Sequence, residues 1–136
     1  VGDESSKLLL GTLTEFPDGG DVPATFQANM RPSRVASFLE YCTSRNISAV
    51  ARLGNGIVTG HLPDDIGPET QKSVLDELSA HTHKDGGNLI LLNAEEPIAS
   101  ELSWWGRAEQ SWSVMKAIKQ SLDPSGLLNP GGTPFE

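Results

Sequence analysis

Chemistry-bearing residues are scarce in this chain. It has one cysteine, one tyrosine, two methionines and three histidines in 136 residues. A lone Cys42 has no internal disulfide partner, and it falls on the apolar stripe of an expected helix, so it reads as a buried structural thiol in a reducing compartment. Ten basic residues face eighteen acidic ones, leaving a formal charge of −8. Without clustered Lys and Arg there is nothing to release counterions from a phosphate backbone, which excludes nucleic acid as a partner. Long apolar runs are also missing. Leu89–Leu92 is the longest, against the roughly 20 residues needed to cross a bilayer. No basic amino end precedes an apolar stretch, so no signal peptide is visible. Val1 is not an initiator methionine, as expected of a chain trimmed or excised from something longer. There are no repeats and no low-complexity tracts.

What is present suits one domain. A chain of this length buries about two thirds of its unfolded surface, and 37% hydrophobic content supplies a core. Residues 1–23 read as a linker or edge segment. Leu8–Leu13 is a candidate edge strand, and Pro17-Asp18-Gly19-Gly20-Asp21 is a loop signal. Ala24–Met30 then reads as a strand. Pro32 suits the first turn of a helix, and Val35, Phe38, Leu39 and Cys42 at i, i+3, i+4, i+7 carry that helix to about Arg45. Strands Ile47–Leu53 and Ile57–Leu62 flank Gly54-Asn55-Gly56. Pro68 opens a second helix with Val74, Leu75, Leu78 and His81 on one face, and Asn88–Leu92 is a buried strand. The order β-α-β-β-α-β predicts an α+β, ferredoxin-like antiparallel sheet over residues 24–94, with two helices on one face. Residues 95–136 form a carboxy-terminal extension expected to pack on the same domain. It contains a short helical turn at 97–102, Trp104-Trp105-Gly106, a helix from about Glu109 to Leu122, and an Asn-Pro-Gly tail.

The hairpin sorts side chains. A type I′ turn on Asn55-Gly56, with both residues at positive φ, sets Gly54 opposite Ile57 and Leu53 opposite Val58. Ile47, Ala49, Ala51 and Leu53 then share an apolar face with Val58 and Leu62, under the helices. Val50 and Arg52 share the other face with Ile57, Thr59 and His61, and no helix covers it. Arg52 and His61 are either a solvated pair on an exposed sheet or candidates for a substrate site or domain seam, where a guanidinium fits a carboxylate bidentately.

The run Met115–Gly131, which reads MKAIKQSLDPSGLLNPG, resembles the ending of FAD-linked oxidases of the vanillyl-alcohol oxidase superfamily, where an IK–LDP–G–NPG segment closes the chain. The element order before it, the Gly-Gly-Asn-Leu strand and the Trp-Gly element resemble the smaller FAD-binding subunit of bacterial glycolate oxidase, over about residues 24–132. The resemblance implies a cap domain without its own flavin-binding fold, serving an FAD-linked oxidation of a 2-hydroxy acid such as glycolate and inactive alone. It implies FAD in the full-length protein and none on these residues. The implied partners are an upstream FAD-binding domain of the same polypeptide, a larger flavoprotein subunit and an iron–sulfur subunit. The implied location is cytoplasmic, with inner-membrane association only through those partners. Asn129 and Trp105 become candidates for the cofactor side. A turn signal accounts for Asn129 equally well, and core packing against the last helix for the tryptophans.

One departure is informative. Catalytic relatives such as D-lactate dehydrogenases carry H-x-G-D-G-N-x-H on this hairpin, with histidines that help hold a divalent metal. Here the segment reads Arg52-Leu53-Gly54-Asn55-Gly56-Ile57-Val58-Thr59. Neither Arg nor Thr replaces an imidazole ligand, and His61, His81 and His83 have no ligand-spaced partners, so no metal site is expected. No Gly-rich phosphate loop precedes a helix, no Ser-His-Asp set can be placed, and Glu95-Glu96 reads as a solvated pair. No catalytic residue is assigned. The alternative is a stand-alone ferredoxin-like module that binds a small metabolite or a partner protein.

Overall fold

The computed structural model describes residues 3–18, 22–84, 86–96 and 98–135. Gly19, Gly20 and Asp21 of the expected loop, and Pro97 of the expected helical turn, lie outside the described residues. The elements run α1 (Glu4–Glu15), β1 (Ala24–Asn29), α2 (Val35–Ser44), β2 (Ser48–Arg52), β3 (Ile57–His61), α3 (Pro68–His83), β4 (Asn88–Ala94), α4 (Ile98–Glu101) and α5 (Trp112–Leu122). The strands form one sheet in the order β2-β3-β1-β4, every neighbouring pair antiparallel. With α2 and α3 packed on it, this is the ferredoxin-like arrangement read from the sequence.

Alternation builds the core. Ala24, Phe26 and Ala28 of β1 face the helices beside Val58 of β3 and Leu89 and Leu91 of β4. Val35, Phe38 and Cys42 of α2 and Val74, Leu75 and Leu78 of α3 meet them. Phe26 needs Gly60 beneath it, since a Cβ there would stand 2.5 Å from its ring. Cys42 is buried and free, and burial pushes its thiol up to about 12, which leaves it unreactive. Across the two helices, the Tyr41 hydroxyl and Arg45 Nη2 (2.6 Å) both donate to Glu77 Oε2. Burial first, then the Glu77 bond, holds the Tyr41 phenol up at about 12.

Three expectations are corrected. Leu8–Leu13 is helical. Residues 4–11 contain no β-branched side chain, and Leu, Glu and Lys favour helix, while the outer edge of β4 is already occupied (below). Second, the hairpin is joined by four residues: Arg52, not Gly54, pairs with Ile57. The Arg52 carbonyl accepts from both Asn55 N (3.2 Å) and Gly56 N (3.1 Å), and in this turn only Gly56 takes a positive φ, +71°. The Gly56 carbonyl accepts from Met30 N at 2.9 Å, continuing the β1–β3 ladder into the turn. That long-range bond, absent from any local rule, decides the register. Leu53 therefore sits in the turn at 63% exposure instead of under the helices. Because the slip is two residues, every other residue keeps its face. Third, the extension packs only in part. Ile98 is buried, but α5 buries no residue; it begins at Trp112, with Ser111 at its N-cap.

A Cβ at Gly56 would lie 1.8 Å from the Met30 carbonyl oxygen, in backbone that L side chains avoid. Gly56→Ala should lower stability by at least about 1–3 kcal/mol, read as a reduced urea midpoint. An unchanged midpoint would rule out this turn.

Candidate functional site

The second sheet face is ordered in rows. Arg52, Ile57, Asn29 and Asn88 form one row, Val50, Thr59, Gln27 and Ile90 the next, and Ser48, His61 and Thr25 the third. Arg52 and His61 thus share a face but sit at opposite ends of the hairpin, about 13 Å apart at roughly 3.3 Å per residue. They do not form a pair.

The His61 end is closed by the chain itself. Thr25 is 0% and His61 8% exposed. The Phe16 carbonyl lies 2.6 Å from His61 Nε2 and can only accept, so Nε2 carries the proton. In the neutral ring Nδ1 then accepts from Thr25 Oγ1 at 3.0 Å. The Phe16 ring lies against the imidazole, centroids 4.2 Å apart. Nε2 latches the segment after α1 onto the sheet while Nδ1 ties the ring to Thr25 of β1, and no local pattern foretells the latch because Phe16 and His61 lie 45 positions apart. At the other end Arg52 is exposed, and no side chain among the described residues pairs with it.

Trp104 and Trp105 seal the outer edge of β4. The Trp104 carbonyl accepts from Leu91 N at 2.8 Å, its indole Nε1–H donates to the Ala99 carbonyl at 3.0 Å, and the Trp105 carbonyl accepts from Asn88 Nδ2 at 3.2 Å. An unpaired edge would otherwise be open to another strand. The tail returns to the same place. Ile90, Leu92, Leu102, Trp105, Gly132 and Thr133 are among the residues around a cleft of about 620 Å³, and α5 contributes none of its walls. Thr133 Oγ1 is buried without a hydrogen-bond partner.

Asn129, exposed at φ +49°, shapes that tail. Its carbonyl accepts from Gly132 N at 3.1 Å, and a Cβ on Gly132 would stand 2.0 Å from its amide nitrogen. Its side chain points back at the turn, and Trp105, not Asn129, lines the cleft. Upstream, a clasp fixes the exit from α5. Asp123 Oδ1 accepts from Leu127 N and Oδ2 from Leu128 N, each at 2.9 Å. Lys119 Nζ donates to Asp123 Oδ2 at 2.6 Å and also to the Leu128 carbonyl. The signal for this clasp lay in the sequence as Lys119-x-x-x-Asp123 on one helix face, and it was missed. Beyond it, Val114, Met115, Ile118, Leu122, Leu127 and Leu128 stand exposed.

Among the described residues no three His, Cys, Asp or Glu side chains are grouped to hold a metal ion, and no helix is long and apolar enough to cross a membrane. The architecture is that of a ferredoxin-like domain with one closed sheet edge, one half-open face and an undocked carboxy-terminal helix. Residues 104–133, 30 of the 136, match the family model for FAD linked oxidases, C-terminal domain, which supports an FAD-linked oxidase C-terminal domain in this part of the chain. Neither the curated proteins nor the solved structures include a match to the chain.

The Lys119 bond, then the Leu128 and Leu127 amides, hold the Asp123 carboxyl down at about 2, against an ordinary 3.8. The folded value is the lower one, so the clasp's contribution is complete above pH 3.8 and is lost as pH falls through about 2. A carboxyl-carbon NMR titration should place the Asp123 midpoint near 2; a midpoint at the ordinary value would mean that the clasp is not formed.

Proposed function

We propose that this chain is the cap domain of an FAD-linked 2-hydroxy-acid oxidase, of the kind formed by the smaller FAD-binding subunit of bacterial glycolate oxidase. It would work against an upstream FAD-binding domain of the same polypeptide, alongside larger flavoprotein and iron–sulfur subunits. The observation that carries this reading is the apolar ridge from Val114 to Leu128. It lies wholly inside the segment that matches the FAD-oxidase family, and none of the described residues buries its apolar side chains. Six large apolar side chains left in water on one short stretch are a docking surface.

The cleft tests how far these residues suit the cofactor. About 620 Å³, with two tryptophans and four aliphatic side chains among its lining, suits one ring system. Among the described residues no Lys or Arg lines it, so the pyrophosphate of FAD would have to be held elsewhere. When bound, FAD would supply the two-electron acceptor for oxidation of a hydroxy acid. In this reading Trp105 walls the ring side and excludes water, and Asn129 holds the tail in place behind it. Arg52 offers the seam a guanidinium for a carboxylate. His61 serves the latch on Phe16, so the seam role falls to Arg52 alone.

The 136-residue chain alone is expected to be colourless and without turnover, whereas the complete subunit retains FAD. A yellow, FAD-retaining preparation of these residues alone would refute the assignment, as would an independent start codon immediately before Val1. In the complete subunit Arg52→Ala should raise KM for the hydroxy acid or weaken assembly. Unchanged kinetics together with unchanged association would dispose of the Arg52 role.

A further inference from the structure

The clasp around Asp123 is built for something other than the core. Asp123 is 8% exposed, yet α5 before it buries nothing and Leu127 and Leu128 after it are 79% and 65% exposed. Both carboxylate oxygens and a partly buried lysine are committed to fixing a loop with no apolar layer of its own domain over it. Such a network does not strengthen the sheet–helix core, because none of its members belongs to it. What it does is remove the freedom of two leucines that point into water.

We propose that Lys119 and Asp123 are positioning residues that hold Leu127 and Leu128 out as a preset anchor for the flavin-binding domain. This rests on the cap reading above and names the contact through which the cap would dock. The occupant follows from charge as well as from the family match. Residues 104–133 hold Arg107, Lys116 and Lys119 against Glu109 and Asp123, a net +1, while the whole chain carries −8 and the remainder therefore −9. The ridge thus lies in a segment without the excess of acid that the rest of the chain carries, which lowers the repulsion met by a partner docking there. A second copy of the chain would bring that same acidic body with it. Preset side chains lower the ordering cost of association, so loosening two of them weakens docking by roughly tenfold.

The test is a double-mutant cycle in the complete subunit, read as the rate of FAD release and as hydrogen exchange across residues 112–128. Leu127→Ser with Leu128→Ser should speed FAD release at least about tenfold and raise exchange on α5. Asp123→Asn alone should act in the same direction by up to roughly tenfold, and Lys119→Arg should preserve the wild-type rate. In the leucine-less background Asp123→Asn should add nothing further. The same variants in the 136-residue chain should leave hydrogen-exchange protection of β1 and β3 unchanged, which shows that the sheet–helix core is intact. An undiminished Asp123→Asn effect without the leucines would overturn the proposal, because the clasp would then act by another route. Unchanged FAD release in the leucine variant would overturn it while leaving the cap reading in place. A complete subunit that holds no FAD would end the cap reading and the proposal together. A wild-type 136-residue chain that dimerises in solution, and stops doing so without the leucines, would give the anchor to a second copy and sink the proposal.

Discussion

Two helices can cover only one face of a four-stranded sheet, and much of this structure answers to the face left over. Ala24, Phe26 and Ala28 alternate with Thr25, Gln27 and Asn29 along the central strand β1, so apolar and polar sides are fixed by the pleat. On the polar side, His61 closes one end with one hydrogen bond to the Phe16 carbonyl, one from Thr25 and a ring contact with Phe16. At the other end Arg52 is left in water. The outer edge of β4 poses the same problem in the plane of the sheet, and Trp104 answers it with its backbone carbonyl. Latch and edge seal both use chain outside the β-α-β-β-α-β unit to satisfy groups inside it.

The carboxy-terminal stretch follows a different physics. It has almost no core to lean on, so its shape comes from short-range bonds. Asp123 collects two amides and a lysine from within five positions of itself, and Asn129 and Gly131 take positive φ to turn the tail. The tail wall of the cleft is therefore set by local chemistry, while its floor is set by β4 and its far wall by the tryptophans pinned to β4. Residues 102–134 thus contribute both to the walls of a cleft and to a run of exposed apolar side chains around that clasp.

How much of this could be read in advance depended on the range of the interactions. The order of strands and helices follows from periodicities of 2 and 3.6, visible in Ala24–Met30 and in Val35, Phe38 and Cys42. The sorting of Val50, Arg52, Ile57, Thr59 and His61 onto one face stayed correct even though the hairpin register did not, because a slip of two residues preserves parity. The helix at Glu4–Glu15 has a signal in its run of helix formers, which the reading of Leu8–Leu13 as an edge strand passes over. The ending was legible in outline as a helix stop and a turn.

Fold class, the two-faced character of the sheet, the inert buried Cys42 and the turn-rich ending were legible along the chain, since each depends on neighbours a few positions away. Tertiary structure alone decided that His61 would be spent on Phe16 and that Gly56 would join the β1 ladder through Met30. It also decided that Trp104 and Trp105 would meet the tail across a cleft rather than pack on α5. Those outcomes depend on groups 17 to 45 positions apart competing for the same hydrogen-bonding partners, and a linear pattern carries no record of which competitor wins.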